Sequence, residues 1–163
     1  MRLHQARLLA AQLAGALSAV FERTLQYANE RQQFGRAIGK FQAIQHQLSV
    51  MAEHVFAARM AAQMGCTAGG AQPLAPDALR VAVAKARTSE AALEVAALSH
   101  SIHGAIGFTA EFDLQVYTRR LHAWRQAAGA ESHWHDLIGT LLLDGRFERS
   151  LDLLRAATDP VAA

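Results

Sequence analysis

Proline, cysteine and aromatic residues are all scarce in this chain, and no apolar run approaches the roughly 20 residues that span a bilayer. Each scarcity closes off a class. The only prolines are Pro73, Pro76 and Pro160, so helical patterns run uninterrupted and a Pro-rich disordered chain is excluded. The single Cys66 rules out an internal disulfide and suits a reducing compartment, so the cytoplasm is expected. Strand-like alternation is missing throughout. No Glu precedes a His by three residues, which removes the carboxylate-bridged di-metal bundle. The excess of positive charge is only +2 and comes mainly from arginines spread along helical patterns. Without a basic stripe interleaved with aromatics, nucleic acid is not an expected partner. The N-terminus lacks the uninterrupted apolar core and small-residue cleavage site of a signal peptide, and no membrane role is expected.

What the chain does have is apolar residues, 52% of 163, at helical spacing. A first helix reads from about Arg2 to Asn29, with Leu9, Leu13, Ala16 and Val20 as its stripe. A second starts near Phe41 and carries Ile44, Leu48, Met51, Val55, Ala58 and Ala62, alternating by three and four. It ends at Gly65, and Thr67 to Pro76 reads as the one long loop. Pro76 suits the first turn of a third helix and Asp77 its dipole. The stripe of that helix is Leu79, Val83, Ala86, Leu93 and Ala97, and it stops near Gly104 and Gly107. Leu114, Tyr117, Leu121 and Trp124 mark a fourth helix. Trp134, Leu137 and Leu141 mark a fifth, and Phe147, Leu151 and Leu154 a last short one. The expected fold is all-α: an antiparallel four-helix bundle with a short C-terminal helical extension. It forms one domain over residues 1–158, and residues 159–163 are expected to be a disordered tail.

Two segments carry chemistry. The first is the corner Arg31-Gln32-Gln33-Phe34-Gly35-Arg36-Ala37-Ile38, followed by Phe41-Gln42-Ala43-Ile44-Gln45. Its arginine offers a planar fork of donors that suits a pyrophosphate. The second runs from Ser101-Ile102-His103-Gly104 through Ala105-Ile106-Gly107-Phe108-Thr109. Two glycines three apart at a helix end allow close backbone approach to a ligand. His100 and His103 share a helix face, but no second pair of ligands accompanies them, so no metal is expected.

Together these segments resemble the flavin-dependent acyl-CoA dehydrogenases, whose R-x-Q-F-G-x-x-I and F-Q-x-x-Q patterns are intact here. The second segment resembles the family's Q-x-x-G-G-x-G-[FY] run. The resemblance covers Gln5 to about Leu143 and corresponds to the family's C-terminal helical bundle, not to its N-terminal helical domain or middle β-domain. It implies a chain that helps hold FAD, with Arg31, Gln33, Phe34, Ser101, Gly104 and Gly107 as cofactor-binding residues. It implies acyl-CoA as the substrate of the complete enzyme. It also implies assembly with acyl-CoA dehydrogenase-like chains, as a homo- or hetero-oligomer, because in the family this edge reaches across a dimer interface.

The departures from the family are informative. The base that removes the α-proton is a glutamate in a [YF]-E-G-T motif, and that slot is Ala128, 27 residues after Ser101. The other base slot known in the family, 26 residues before Arg31, is Gln5. A methyl and an amide cannot accept the proton, so no catalytic residue is expected and the isolated chain is expected to be inactive. Ser101 replaces the family's glutamine, Ala105 its second glycine, and Ala130 and Ser132 a threonine and a glutamine. A relocated base is conceivable at Glu131, three residues from Ala128, or at Glu111, which follows the glycine turn, but carboxylates near helix starts need no catalytic reason. Two other readings stay open: a bundle that only mediates oligomerisation without flavin, and a small-ligand bundle unrelated to flavin.

Overall fold

The computed structural model describes residues 1–67, 77–145 and 147–159. Among the described residues the six α-helices are α1 (Arg2–Glu30), α2 (Gln42–Cys66), α3 (Ala78–His103), α4 (Leu114–Gln126), α5 (Glu131–Leu143) and α6 (Ser150–Thr158). The all-α reading holds. The one sheet among the described residues is a hairpin of two-residue strands, β1 (Gln32–Gln33) and β2 (Arg36–Ala37), at the corner between α1 and α2. The expected long loop, apart from Thr67, and the expected tail, apart from Asp159, fall outside the described residues.

Contacts at the two ends fix the helix directions. Ala6 near the start of α1 shares a cluster with Val81 and Ala82 near the start of α3. At the other end, Tyr27 of α1 stacks on His103 of α3, with ring centroids 4.3 Å apart. These two helices are therefore parallel. Gly65 near the end of α2 lies against Arg80 and Ala84, and Gln47 near its start reaches Ser101, so α2 runs antiparallel to both. The fourth helix reverses again: Asp113 before it accepts from Arg23 Nε at 2.8 Å, and the Arg125 carbonyl near its end accepts from Lys85 Nζ at 2.8 Å. Helices α1 to α4 thus alternate in direction, as the sequence pattern implied, whereas α5 also runs antiparallel to α3, from His135 at Glu90 to Leu141 near Leu79.

Helix α3 is the centre of the bundle, packing on α1, α2, α4 and α5. Nearly its whole circumference is buried, from Val81 and Ala82 through Ala91, Ala92, Val95 and Ala96. Its many alanines let four neighbours approach closely. This corrects the stripe read from sequence, because Leu93 and Ala97 are exposed while residues between them form the core. A helix buried all round has no single apolar face for periodicity to find. The α2 stripe does hold, with Met51, Val55, Ala58 and Ala62 buried. Asp77 is not inside α3 but caps it, accepting from Arg80 N at 2.9 Å and satisfying one orphan donor.

Helix α1 is long and apolar enough to cross a bilayer by length and composition, with a mean hydropathy of 1.2 over its best window. The sequence reading had found no such segment. The apolar side chains responsible include Leu13, Leu17 and Val20, which lie fully buried in the bundle core.

Candidate functional site

The corner is built by a hairpin with the shortest common loop. Gln33 pairs with Arg36, leaving Phe34 and Gly35 as its two central residues, with φ of 52° and 80°. Positive φ at both positions is a type I′ turn, whose twist matches the strands it joins. Gly35 accommodates this freely. Phe34 does not, since a bulky side chain in the left-handed region is strained. Its ring is also 91% exposed, touching Phe41 edge-on at 6.2 Å.

Arg31 follows directly on α1, its N–H bonded to Tyr27 O at 2.8 Å and its carbonyl accepting from Ile38 N at 2.8 Å. Its backbone is therefore fixed. Its side chain is exposed and makes no hydrogen bond or ion pair among the described residues, and Glu30 is instead engaged by Gln26 Nε2 at 2.8 Å. Arg31, Gln33 and Phe34 line a cavity of about 330 Å³ together with Ser101 and Gly104 from the end of α3. Gly104 has φ of 65° and ends that helix, so a side chain there would be strained. The structure thus gathers five of the six residues singled out for cofactor binding. Gly107 is the exception: it is buried, wedged against His100 and His103, and does not line the cavity.

Six further lining residues were not assigned to the site from sequence, among them the rings of Tyr27 and His103. His103 is buried between Tyr27 and the tilted ring of Phe112, and its Nδ1 lies 2.7 Å from Ser99 O. His100 stacks on Phe108 at 4.1 Å, with Nε2 2.9 Å from Thr118 Oγ1. Burial pushes the pKa of both rings down. For His100, His122 adds to that; for His103, the Ser99 carbonyl opposes it, His100 adds to it and Asp113 opposes it. Because the folded pKa values lie below the ordinary 6.5, the unfolded chain binds more protons as pH falls through that value. Stability is therefore expected to be full above pH 6.5 and to decline below it. Urea unfolding at pH 7.5 and 5.5 checks this, and a His100→Gln/His103→Gln double variant should show a flatter response.

The base slots lie at the other end. Ala128 occupies the α4–α5 turn with φ of 58°, and its carbonyl accepts from Arg2 Nε at 3.2 Å. Ala6, next to Gln5, packs in the same cluster as Ala128, so the two slots are neighbours. The turn is held from below by Lys85, which is fully buried. Its ammonium donates to Ser89 Oγ at 2.8 Å, Arg125 O at 2.8 Å and Gly129 O at 3.1 Å, which satisfies all three protons. Burial lowers the Lys85 pKa to about 8; nearby Glu131 opposes this and Arg125 reinforces it. Of the relocated bases, Glu131 accepts from Arg125 Nε at 2.7 Å and is largely covered, while Glu111 is exposed on the segment before α4.

Gln5 and Arg31 are 26 residues apart, which is about 39 Å along one helix. The cavity and the base slots therefore sit at opposite ends of the bundle. No group of three or more His, Cys, Asp or Glu side chains arranged for a metal is found among the described residues.

The bundle thus presents an arginine, an amide, a hydroxyl and an exposed aromatic together at one corner. The chain belongs to the acyl-CoA dehydrogenase family: residues 1–142 match the family model described as acyl-CoA dehydrogenase, C-terminal domain. It is 36% identical over 119 residues to acyl-CoA dehydrogenase IpdE2 of Mycobacterium tuberculosis, a match covering 73% of this chain and 35% of that protein. Among solved structures it superposes on the ChsE4-ChsE5 complex from Mycobacterium tuberculosis with a TM-score of 0.76 at 26% identity, covering 86% of this chain and 38% of that one. It also superposes on PigA with FAD and proline, with a TM-score of 0.77 at 25% identity, covering 86% of this chain and 36% of that one. The chain thus spans little more than a third of the length of these relatives.

Proposed function

We propose that this chain supplies the flavin-binding edge of an acyl-CoA dehydrogenase-type assembly that oxidises an acyl-CoA thioester at its α,β bond. One observation carries the reading: a single cavity collects Arg31, Gln33, Phe34, Ser101 and Gly104, and Arg31 enters it with no protein partner among the described residues. That donor set fits FAD. Arg31 would neutralise the pyrophosphate through its planar fork. Gln33 and Ser101 would add neutral hydrogen bonds, Gly104 would let the backbone approach, and Phe34 would cover an aromatic face. Bound FAD supplies the acceptor for the hydride that leaves the β-carbon. Gly107 supports the edge from behind, not as a contact. The solved PigA structure, which has FAD with this fold, supports the assignment.

Across some 39 Å of α1, the cavity of one chain cannot serve the same flavin as its own base slots. The edge therefore closes on FAD held largely by another chain, in a homo- or hetero-oligomer. The ChsE4-ChsE5 complex is an assembly of this fold with two different names in it, and supports a heteromer. The pair Phe56 and Met60, one turn apart on α2 and 57% and 60% exposed, supplies apolar surface for association. A cytoplasmic location belongs to the same proposal and is supported by the free Cys66. A flavin-free oligomerisation bundle gives no reason for an unpaired Arg31 beside a strained, exposed Phe34.

The test is purification from the protein's own host with its accompanying chains. The assembly is expected to be a dimer or larger by light scattering and to carry FAD in its absorption spectrum. A colourless monomer would end the proposal.

A further inference from the structure

A serine hydroxyl rotates freely until a neighbour decides which side of it donates. On α2, Gln47 lies one helical turn beyond Ile44, which lines the cavity. Its Nε2 donates to Ser101 Oγ at 3.3 Å across the α2–α3 contact. The carboxamide Oε1 is buried and has no hydrogen-bond partner among the described residues. Leaving an acceptor buried and unpaired costs stability, so packing alone does not account for an amide here. A methionine would fill the same volume without that cost. The useful group is the N–H. By occupying a lone pair of Ser101 Oγ, it leaves the hydroxyl proton free to turn away from α2. Ser101 is exposed and lines the cavity that Arg31 enters.

We propose that Gln47 is a positioning residue: its hydrogen bond orients the Ser101 hydroxyl as a donor into the cavity, toward a phosphate oxygen of the dinucleotide that Arg31 neutralises. This rests on the flavin-edge reading. Gln47 does not itself line the cavity, so it acts only through Ser101. The consequence is directional. Removing the amide does not remove the serine, but frees its proton to turn back toward α2, and the ligand loses a donor.

A double-mutant cycle isolates this coupling. The assembly purified from its own host is stripped of flavin and titrated with FAD. Gln47→Met is expected to weaken FAD binding about three- to tenfold with no fall in thermal midpoint. Ser101→Ala is expected to weaken it by a similar factor, and adding Gln47→Met to Ser101→Ala should cause no further loss. Ser101→Thr keeps the hydroxyl and should keep the response to Gln47. Equal losses from Gln47→Met with and without the Ser101 hydroxyl would overturn the proposal. If Arg31→Ala weakens binding while Gln47→Met does not, the positioning role fails and the edge stands. If neither variant matters, or the parent takes up no FAD, the edge reading fails and this inference falls with it. A second probe needs no FAD: Ser101→Ala should shift the Gln47 side-chain amide resonances, and unchanged signals would contradict the hydrogen bond.

Discussion

Given FAD and a range of acyl-CoA thioesters, the isolated chain is expected to reduce an artificial electron acceptor no faster than a blank. The α-proton of a thioester needs a base placed beside it, and general-base catalysis contributes roughly 10²–10⁴-fold. At the α4–α5 turn that place holds the Ala128 methyl, and the neighbouring slot on α1 holds the Gln5 amide. The nearest carboxylate, Glu131, is tied to Arg125 at 2.7 Å and shows only 15% of its side chain to solvent. Turning it toward a substrate would break an ion pair that also borders the buried Lys85. Added flavin would not rescue turnover, because the cavity and the empty base slots are at opposite ends of α1. Turnover above the blank, lost in Glu131→Gln, would show that a relocated base operates after all.

Trp134→Ala is expected to cost about 3–5 kcal/mol of stability, the largest effect of any single substitution considered. Trp134 is the largest fully buried side chain, at 1% exposure. It packs against Ala6, Val81, Ala82 and Ala86, joining the starts of α1 and α3 to α5. Its Nε1–H also donates to Gly129 O at 3.1 Å, the same carbonyl that Lys85 holds. Removing it leaves a cavity beneath the turn and takes away one of the two side-chain donors to the Gly129 carbonyl. Trp134→Phe keeps most of the ring packing and loses the hydrogen bond, so it should cost clearly less. Urea unfolding of the three proteins reads the difference. Equal stability of parent and Trp134→Ala would mean that α5 is not part of the cooperative unit.

How much of this was legible in the sequence depends on how each residue acts. Helices α1, α2 and α4 were readable because each buries one face, so spacing by three and four reports burial directly. Helix α3 was readable as a helix but not as a pattern of burial, because it touches four neighbours. The corner was legible as a candidate site through Arg31, Gln33 and Phe34, which the structure gathers at one cavity. Its geometry was not, since strands of two residues are too short to alternate, and nothing in the local sequence forces Phe34 into the left-handed region. His103 was read as part of a glycine turn. Its stacking partner Tyr27 is 76 residues away and belongs to another helix. Lys85 left a signal that was not used: it is a lone charge within the apolar run Val81 to Ala86, where a solvated lysine is out of place. Only the fold brings the carbonyls of Arg125 and Gly129 to it.

The central claim is that Arg31 presents its charge to a flavin pyrophosphate at the open corner. The most direct measurement is the affinity for FAD of the assembly purified from its own host, parent against Arg31→Ala, with thermal unfolding of each as a control. A charge-assisted bond to phosphate is worth roughly 1.5–3 kcal/mol, so the variant is expected to bind FAD about tenfold or more weakly while unfolding at the same temperature as the parent. Equal affinity in parent and variant would contradict the account.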